Sequence, residues 1–134
     1  MIKPDLAIAV DVGVAYDVPG MTSEKNEGKL GDGPLAILMD ATSIAHDGLR
    51  KHIKDVAEHH NIPVQWATTP GGGTDAGSIH VANEGIPTIT IGVPLRYMHS
   101  NVSVLNIDDY TNSVRLITEI VRSLNDDSYQ ALMW

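Results

Sequence analysis

The sequence predicts an α/β fold, a layered α/β/α sandwich around a mostly parallel central sheet. Four apolar runs of strand length lie along the chain, and segments with helical spacing of apolar residues lie between or after them. Strands that alternate with helices are typical of parallel sheets covered by helices. The 134 residues suffice for one domain with a hydrophobic core and are too few for two.

Two predicted strands flank a long loop in the first part of the chain. Residues Leu6 to Val10 are continuously apolar and end at Asp11. Residues 12–33 hold five glycines and one proline without apolar periodicity, which predicts a loop long enough to suggest a function. Pro34 to Met39 is the second apolar run, and we expect it to form a buried strand.

The remaining elements follow in alternation. A helix is predicted over residues 47–60, because Leu49, Ile53, Val56 and Ala57 recur at helical spacing, and Asn61 and Pro63 end it. Pro63 to Thr68 is the third predicted strand, a short helix runs from Thr74 or Asp75 to about Asn83, and Pro87 to Gly92 is the fourth strand. The last helix begins near Asp108, and its predicted core-facing stripe consists of Tyr110, Val114, Ile117, Val121 and Leu124. Residues 125–134 are predicted to be peripheral.

Composition excludes several classes of function. The net charge is −8 and no basic cluster is present, which argues against nucleic acid or an anionic membrane as a partner. The absence of cysteine excludes disulfides, thiol catalysis and cysteine-bound zinc. No signal-peptide pattern occurs at the start and no apolar stretch approaches the ~20 residues of a membrane helix, so we expect a cytoplasmic protein.

Polar residues follow each of the predicted strands. Asp11 ends the first strand and Asp40 the second, a glycine turn follows the third, and His99 lies beyond the fourth. Ligands of open α/β sheets bind outside the carboxyl ends of the strands. The order of these residues therefore predicts that they gather along one edge of the sheet.

Two of these residues are candidate metal ligands. Asp11 closes an apolar strand, so it is either a metal ligand or a carboxylate that accepts hydrogen bonds from loop amides. The imidazole of His99 suits zinc or cobalt, although a solvent-exposed or hydrogen-bonded loop histidine is the alternative. Asp17, Asp32 and His80 are weaker candidates.

The segment Gly71-Gly72-Gly73-Thr74-Asp75 precedes a predicted helix. Its backbone N–H groups are suited to an anion or a substrate carbonyl. It lacks the lysine of a phosphate-binding P-loop and the spacing of a dinucleotide fingerprint. The alternative is a tight turn that needs glycine at positive φ, with Asp75 as the helix cap.

Five short segments occur in a fixed order along the chain. They are Ala7-Ile8-Ala9-Val10-Asp11-Val12, Pro19-Gly20, Gly31-Asp32-Gly33-Pro34, Gly71-Gly72-Gly73-Thr74-Asp75-Ala76 and Pro94-Leu95-Arg96-Tyr97-Met98-His99-Ser100. Together they resemble the C-terminal half of the catalytic domain of the tetrahedral (TET) aminopeptidases, a family also called glutamyl aminopeptidase, deblocking aminopeptidase, cellulase M or endoglucanase. The resemblance covers most of the chain, from about Leu6 to Leu124.

The resemblance implies a cytoplasmic enzyme that removes N-terminal residues from peptides with two divalent metal ions, zinc or cobalt. It assigns Asp11 to one metal and His99 to the other. It also implies that Gly72, Gly73, Thr74 and Asp75 form a wall of the substrate site. The old cellulase label has little support, because aromatic residues for sugar stacking make up only 4% of the chain.

The family pattern also contains parts that this sequence does not match. An early histidine, a bridging aspartate and a Glu-Glu pair precede the matching segment in the family, and no Glu-Glu occurs in this chain. The inserted domain that helps the family assemble into shells has no counterpart either. The chain is therefore expected to be a single partial catalytic domain, inactive alone, with a missing N-terminal half or a homo-oligomeric partner completing it. A non-catalytic assembly or regulatory domain of the same ancestry, and a small-anion binding module, are the alternatives.

Overall fold

The computed structural model describes residues 2–21 and 28–133. Its elements in chain order are β1 (Ala7–Val14), β2 (Leu35–Asp40), α1 (Asp47–His60), β3 (Gln65–Thr69), α2 (Ala76–Ile79), β4 (Thr88–Leu95), α3 (Ile107–Ser123) and α4 (Asp126–Met133). The predicted α/β class is confirmed, since strands and helices alternate through most of the chain. None of the helices in these two ranges is long and apolar enough to cross a membrane.

The first strand is longer than the sequence predicts. β1 continues through Asp11 to Val14, so Asp11 lies inside the strand rather than at its end. The beginning of the predicted 12–33 loop is therefore strand, because the valines at 12 and 14 continue the β-branched pattern. Part of that predicted loop, residues 22–27, lies outside the described residues.

The sheet contains four strands in the order β1-β4-β2-β3. β1 is parallel to β4 and β2 is parallel to β3, which confirms a mostly parallel sheet. The central pair differs, because β2 is antiparallel to β4. The carboxyl ends of β2 and β3 therefore lie opposite those of β1 and β4, and the prediction that all four ends share one edge was wrong.

The main hydrophobic core lies between one face of the sheet and three helices. Ile89 and Ile91 of β4 point into it, together with side chains from α1, α3 and α4. The helical contributions include Leu49, Ile53, Val56, Leu116, Ile120 and Leu132. Burying each of these larger side chains contributes about 1.5–3 kcal/mol, so this layer dominates the stability of the fold.

The other face of the sheet carries a smaller apolar cluster and the residues of the candidate site. Alternation along β4 directs Thr90 away from Ile89 and Ile91. Leu35, Ile37 and Ala67 form the cluster on this second face, and α2 contacts β1 and β4. The layered sandwich is thus unequal, with three helices on one face and one short helix with its loops on the other.

The predicted core stripe of α3 was partly wrong: Ile117 and Leu124 pack against the main core, but the other three predicted residues do not. The buried residues of α3 are Asp109, Ser113, Leu116 and Ile120, whereas Tyr110 and Val114 are each 50% exposed and Val121 is 58% exposed. The buried carboxylate of Asp109 accepts hydrogen bonds from the N–H groups of Gly31 and Gly33, at 2.7 and 2.8 Å. Asp109 lies on the buried side of α3 because a distant loop supplies its hydrogen-bond donors. A prediction from hydrophobicity alone therefore left this residue out of the buried face.

The segment after α3 is also more integrated than the sequence predicts. Residues 126–133 form α4, and Leu132 is buried in the main core. Gly48 at the start of α1 lies against the backbone of Leu132, so closely that a Cβ atom at position 48 would overlap it. A glycine in the first turn of α1 therefore permits α4 to pack there, and the prediction of a peripheral tail was wrong for this helix.

Candidate functional site

A cavity of about 180 Å³ lies on the second face of the sheet, where parts of both parallel strand pairs meet. Its wall includes Asp11 of β1, Asp40 of β2, the loop residues Gly72 to Thr74, and His99 after β4. The structure therefore brings Asp11, His99 and most of the predicted wall together. They meet across the sheet face and not along a common edge, because β2 and β3 run against β4.

Asp11 projects from the middle of β1 and is exposed rather than buried. Within the described ranges, its one recorded hydrogen bond is from the N–H of the adjacent Val12 to Oδ1, at 2.7 Å. The argument that burial would force a partner on this carboxylate was therefore wrong. A carboxylate oxygen offers about two acceptor positions, so most of the acceptor capacity of Asp11 remains open toward the cavity.

His99 lies in a turn whose backbone is unusual. Tyr97 and His99 both have left-handed backbone angles, with φ of 61° and 63°. Residues other than glycine adopt this conformation at a cost of about 1–2 kcal/mol each. The turn is closed by reciprocal backbone hydrogen bonds between Arg96 and Val104, at 2.9 and 3.2 Å. This closure supports the strained backbone, and such strain is concentrated at functional sites.

An ion pair links this turn to the segment that follows β1. Arg96 donates from Nε to Asp17 Oδ1 at 2.8 Å and from Nη2 to Oδ2 at 2.7 Å. The hydrogen bonds from Arg96 hold the pKa of the Asp17 carboxyl below its ordinary value, although partial burial opposes the shift. Asp17, a weaker candidate ligand from the sequence, is therefore committed to Arg96 and to the N–H of Leu30.

A turn from Thr69 to Gly72 is present, with the Gly72 N–H donating to the Thr69 carbonyl at 3.3 Å, but residues 71–73 do not have the positive φ that the turn interpretation expected. Close packing explains two nearby glycines instead. A Cβ atom at Gly73 would come within 2.9 Å of Thr42 Cγ2, and one at Gly77 would overlap Thr42 Oγ1. The loop and α2 thus lie directly on Thr42, with no room for a side chain between them.

The predicted helix cap is only partly realised. Asp75 occupies the position before α2, but its side chain makes no capping hydrogen bond. Asp75 is exposed and does not line the cavity, in contrast to Gly72, Gly73 and Thr74. The helix is also shorter than predicted, four residues in place of the expected run to Asn83.

Asp40 is the site residue that the sequence reasoning missed as a candidate. It is 6% exposed and lines the cavity, and it accepts hydrogen bonds from Thr42, Ser43 and Thr74. Burial alone would raise the pKa of this carboxyl, but the hydrogen bonds from these residues outweigh it and lower the pKa to about 2. The sequence signal is Asp40-Ala41-Thr42-Ser43 after a buried strand, a pattern typical of a carboxylate that organises the following turn.

The other weaker candidates lie elsewhere. Asp32 is exposed in the turn before β2 and does not line the cavity. His80 lines a separate cavity of about 320 Å³ and is paired with the carbonyl of Ala76 through Nδ1 at 3.0 Å. These positions separate them from the cavity that contains Asp11 and His99.

The donor set in the cavity fits part of a metal centre. One carboxylate and one imidazole, Asp11 and His99, are ligands of the kind that zinc and cobalt accept. Across residues 2–21 and 28–133, no group of three or more histidine, aspartate or glutamate side chains is placed to hold one ion. A catalytic zinc commonly has three protein ligands, so Asp11 and His99 together supply fewer ligands than one such ion requires.

Comparisons with known proteins identify relatives of the chain. The sequence profile described as "M42 glutamyl aminopeptidase" matches residues 1–116. A putative aminopeptidase of Acetivibrio thermocellus is 42% identical over 120 residues, which cover 90% of this chain and 36% of that protein. The glutamyl aminopeptidase of Lactococcus lactis subsp. cremoris is 38% identical over 125 residues, or 93% of this chain and 34% of that protein. The chain thus spans about a third of the length of these relatives.

Solved structures show the same relationship. The TET aminopeptidase from the marine sediment archaeon Thaumarchaeota archaeon SCGC AB-539-E09 superimposes with a TM-score of 0.92 at 35% identity. The match covers 96% of this chain and 36% of that one. The TET1 peptidase of Pyrococcus horikoshii, described as assembling into a tetrahedron or a large octahedral shell, matches with a TM-score of 0.70 at 28% identity. It covers 88% of this chain and 33% of the other.

Proposed function

Because the chain belongs to the M42 glutamyl aminopeptidase family, we propose that it supplies part of the catalytic domain of a metal-dependent aminopeptidase. Such an enzyme releases N-terminal residues from peptides. The observation that carries the proposal is the meeting of Asp11 and His99 at one cavity, since they come from different strands and lie 88 positions apart in the sequence numbering. A carboxylate and an imidazole converging on open space are suited to divalent metal ions.

Asp11 and His99 are proposed as ligands of two different ions, zinc or cobalt. Bound there, the ions would polarise the peptide carbonyl and lower the pKa of a water molecule. The chain's own contribution is to hold the two donors apart on rigid supports. Asp11 is fixed by its place within β1, and His99 by the closed turn after β4. Both supports belong to the same parallel pair of strands.

The glycine loop is proposed as the wall that receives the substrate. Gly72, Gly73 and Thr74 line the cavity beside Asp11, and the N–H of Gly73 makes no recorded hydrogen bond within the described ranges. A free backbone N–H at the cavity wall is suited to a peptide carbonyl or carboxylate oxygen. Asp75, which the resemblance also implies, contributes less directly because it does not line the cavity.

Further groups are required from elsewhere for turnover. The chain contains no Glu-Glu pair, and no third ligand accompanies Asp11 or His99 among the described residues. We therefore propose that the general base and the remaining ligands come from polypeptide outside this chain, either an N-terminal half or an oligomeric partner. A cytoplasmic location is part of the proposal, in keeping with a chain without cysteine.

Paramagnetic cobalt tests this proposal directly. We expect Co²⁺ to broaden the amide NMR signals around Asp11 and His99 selectively in the 134-residue chain. His99→Ala should remove the effect at the cavity, and His80→Ala should leave it unchanged because His80 lines another cavity. Broadening that is centred elsewhere, or that is equal in wild type and His99→Ala, would rule out the assigned site.

An assay of amino-acid p-nitroanilide hydrolysis then distinguishes a catalytic domain from a non-catalytic assembly domain. We expect the chain alone to bind the metal only weakly, because it supplies one ligand per ion, and to show no turnover. Turnover that disappears in His99→Ala would mean that the chain assembles a working site by itself. Cobalt binding without turnover in any assembled state of the protein would favour the non-catalytic assembly domain.

A further inference from the structure

Asp40 has the most densely hydrogen-bonded side chain at the cavity. Its Oδ1 accepts from the N–H of Thr42 at 2.7 Å, the hydroxyl of Thr42 at 2.8 Å and the N–H of Ser43 at 2.7 Å. Its Oδ2 accepts from the N–H and the hydroxyl of Thr74, at 3.2 and 2.9 Å. One carboxylate thus joins the turn after β2 to the glycine loop after β3.

These donors leave Asp40 no capacity as a metal ligand. An ionised carboxylate offers about four lone-pair positions, and the five donors on Asp40 already exceed that number. Asp11 lines the same cavity and keeps most of its positions open. The two acids at the cavity therefore have different roles, although both follow apolar sequence.

The hydrogen-bond directions extend the connection to β4. The Thr74 hydroxyl has one proton, and ionised Asp40 can only accept, so that proton goes to Asp40. The 2.8 Å contact between the Thr74 and Thr90 hydroxyls must then be a donation from Thr90. Thr90 is 2% exposed on β4. A directed chain from Thr90 through Thr74 to Asp40 consequently connects β4, the glycine loop and β2.

The loop is held on both sides of Gly73. Ala41, next to Asp40, donates its N–H to the carbonyl of Gly72 at 2.7 Å, and Thr74 is bound by Asp40. Gly73 between them lines the cavity. Fixing both neighbours restricts the orientation of the Gly73 peptide, which lowers the entropy cost of using its N–H for a ligand.

We infer that Asp40 is a positioning residue, which fixes the Gly72–Thr74 segment at the cavity so that the Gly73 N–H can bind a substrate oxygen. The substrate contact rests on the proposed aminopeptidase function, whereas the clamping of the loop does not. Asp40 acts through Thr74, beside the separate backbone hydrogen bond from Ala41 to Gly72, and takes no part in binding metal.

Amide hydrogen exchange in the 134-residue chain tests the clamp. In Asp40→Asn, an amide group faces the donors of Thr42 and Thr74, so exchange of the Gly72 and Thr74 amides should accelerate by at least about tenfold. Core amides of α1 should keep their protection. Thr74→Val should reproduce the effect, and Thr74→Ser should restore wild-type exchange because it keeps the hydroxyl donor.

Two results of this exchange experiment would overturn the inference. One is unchanged exchange at Gly72 and Thr74 in Asp40→Asn. The other is a uniform acceleration across loop and core, which would mean that Asp40 only stabilises the fold. Neither result depends on whether the protein is an aminopeptidase.

Ligand binding supplies the functional readout. We expect Asp40→Asn to keep the Co²⁺ broadening around Asp11 and His99, and its loss with an intact loop would make Asp40 a ligand and contradict the inference. In the cobalt-loaded wild type, titration with L-leucinamide should shift the Gly73 amide signal, and Asp40→Asn should weaken that response. An unresponsive Gly73 in cobalt-loaded wild type would overturn the substrate contact. Absence of Co²⁺ binding in wild type even at high Co²⁺ concentration would count against Asp11 and His99 as ligands, and the exchange experiment would still decide the role of Asp40.

Discussion

The Asp17 carboxylate accepts two hydrogen bonds from the Arg96 guanidinium, one on each oxygen. It also accepts a hydrogen bond from the N–H of Leu30 at 3.1 Å. Three distant segments therefore meet at one side chain: the stretch after β1, the stretch before β2 and the turn that contains His99. The pair is partly buried, with 32% of the Arg96 side chain and 19% of the Asp17 side chain exposed. Its geometry ties the two candidate ligands to a common support.

The substitution Arg96→Lys keeps the positive charge but removes the planar guanidinium that donates two hydrogen bonds to Asp17. We expect the free energy of unfolding to fall by about 1–2 kcal/mol, because one of two charge-assisted hydrogen bonds to Asp17 is lost. Urea denaturation measures the change. Arg122→Lys is the control, since Arg122 pairs with Glu119 at the surface with 70% of its side chain exposed, and it should change stability by less than about 0.5 kcal/mol. Equal losses of unfolding free energy in the two variants would contradict a special role for the two hydrogen bonds from Arg96 to Asp17.

Alanine substitutions on α3 distinguish its two apolar sides. Leu116 is fully buried and Val114 is 50% exposed. Leu116→Ala should lower the free energy of unfolding by about 2–5 kcal/mol because it leaves a cavity in the core. Val114→Ala should cost less than about 1 kcal/mol, measured by the same denaturation assay. A larger loss at Val114 than at Leu116 would restore the face that the sequence pattern favoured.

Alanine at two glycines tests the close packing of α2 on Thr42. Gly77→Ala should destabilise the chain by about 1–3 kcal/mol, because its Cβ overlaps Thr42 Oγ1. Gly71→Ala is the matched control, since no atom lies within 4 Å of a Cβ there and its φ is not positive. Thermal unfolding compares them, and Thr42→Ala should relieve the Gly77 variant. Failure of that relief would place the strain elsewhere.

Acid should weaken the fold partly through Asp40. The folded-state pKa of about 2 lies below the ordinary 3.8, so the unfolded chain takes up this proton at a higher pH. The stabilisation is complete above about pH 5 and is lost as pH falls through about 2. It amounts to about 2 kcal/mol. The difference in free energy of unfolding between wild type and Asp40→Asn should shrink across this window, and a difference independent of pH would refute the assignment.

The sequence predicted the elements better than their mutual arrangement. Helix α1 begins and ends where Leu49, Ile53 and the stop at Asn61 indicate, because local spacing and a left-handed cap determine it. The direction of β2 relative to β4 depends on how the connections cross the sheet, and an apolar strand has the same pattern in either direction. The predicted common edge failed for that reason.

The candidate site was predictable where one residue carries the chemistry. Asp11 and His99 meet at the cavity, as their places in the sequence predict, although the ligand roles remain a proposal. Asp40 and Arg96 act through partners 34 and 79 positions away, and such contacts leave no periodic trace in the chain. The face of α3 was missed in the same way, since the loop amides that satisfy Asp109 are distant in sequence.

The pairing between β2 and β4 is the shortest of the three strand pairings in the sheet. Only three residue pairs join these strands, compared with eight between β1 and β4. The hydrogen bonds from Thr90 to Thr74 and from Thr74 to Asp40 cross the same boundary. Side chains therefore reinforce the sheet where its backbone pairing is least extensive.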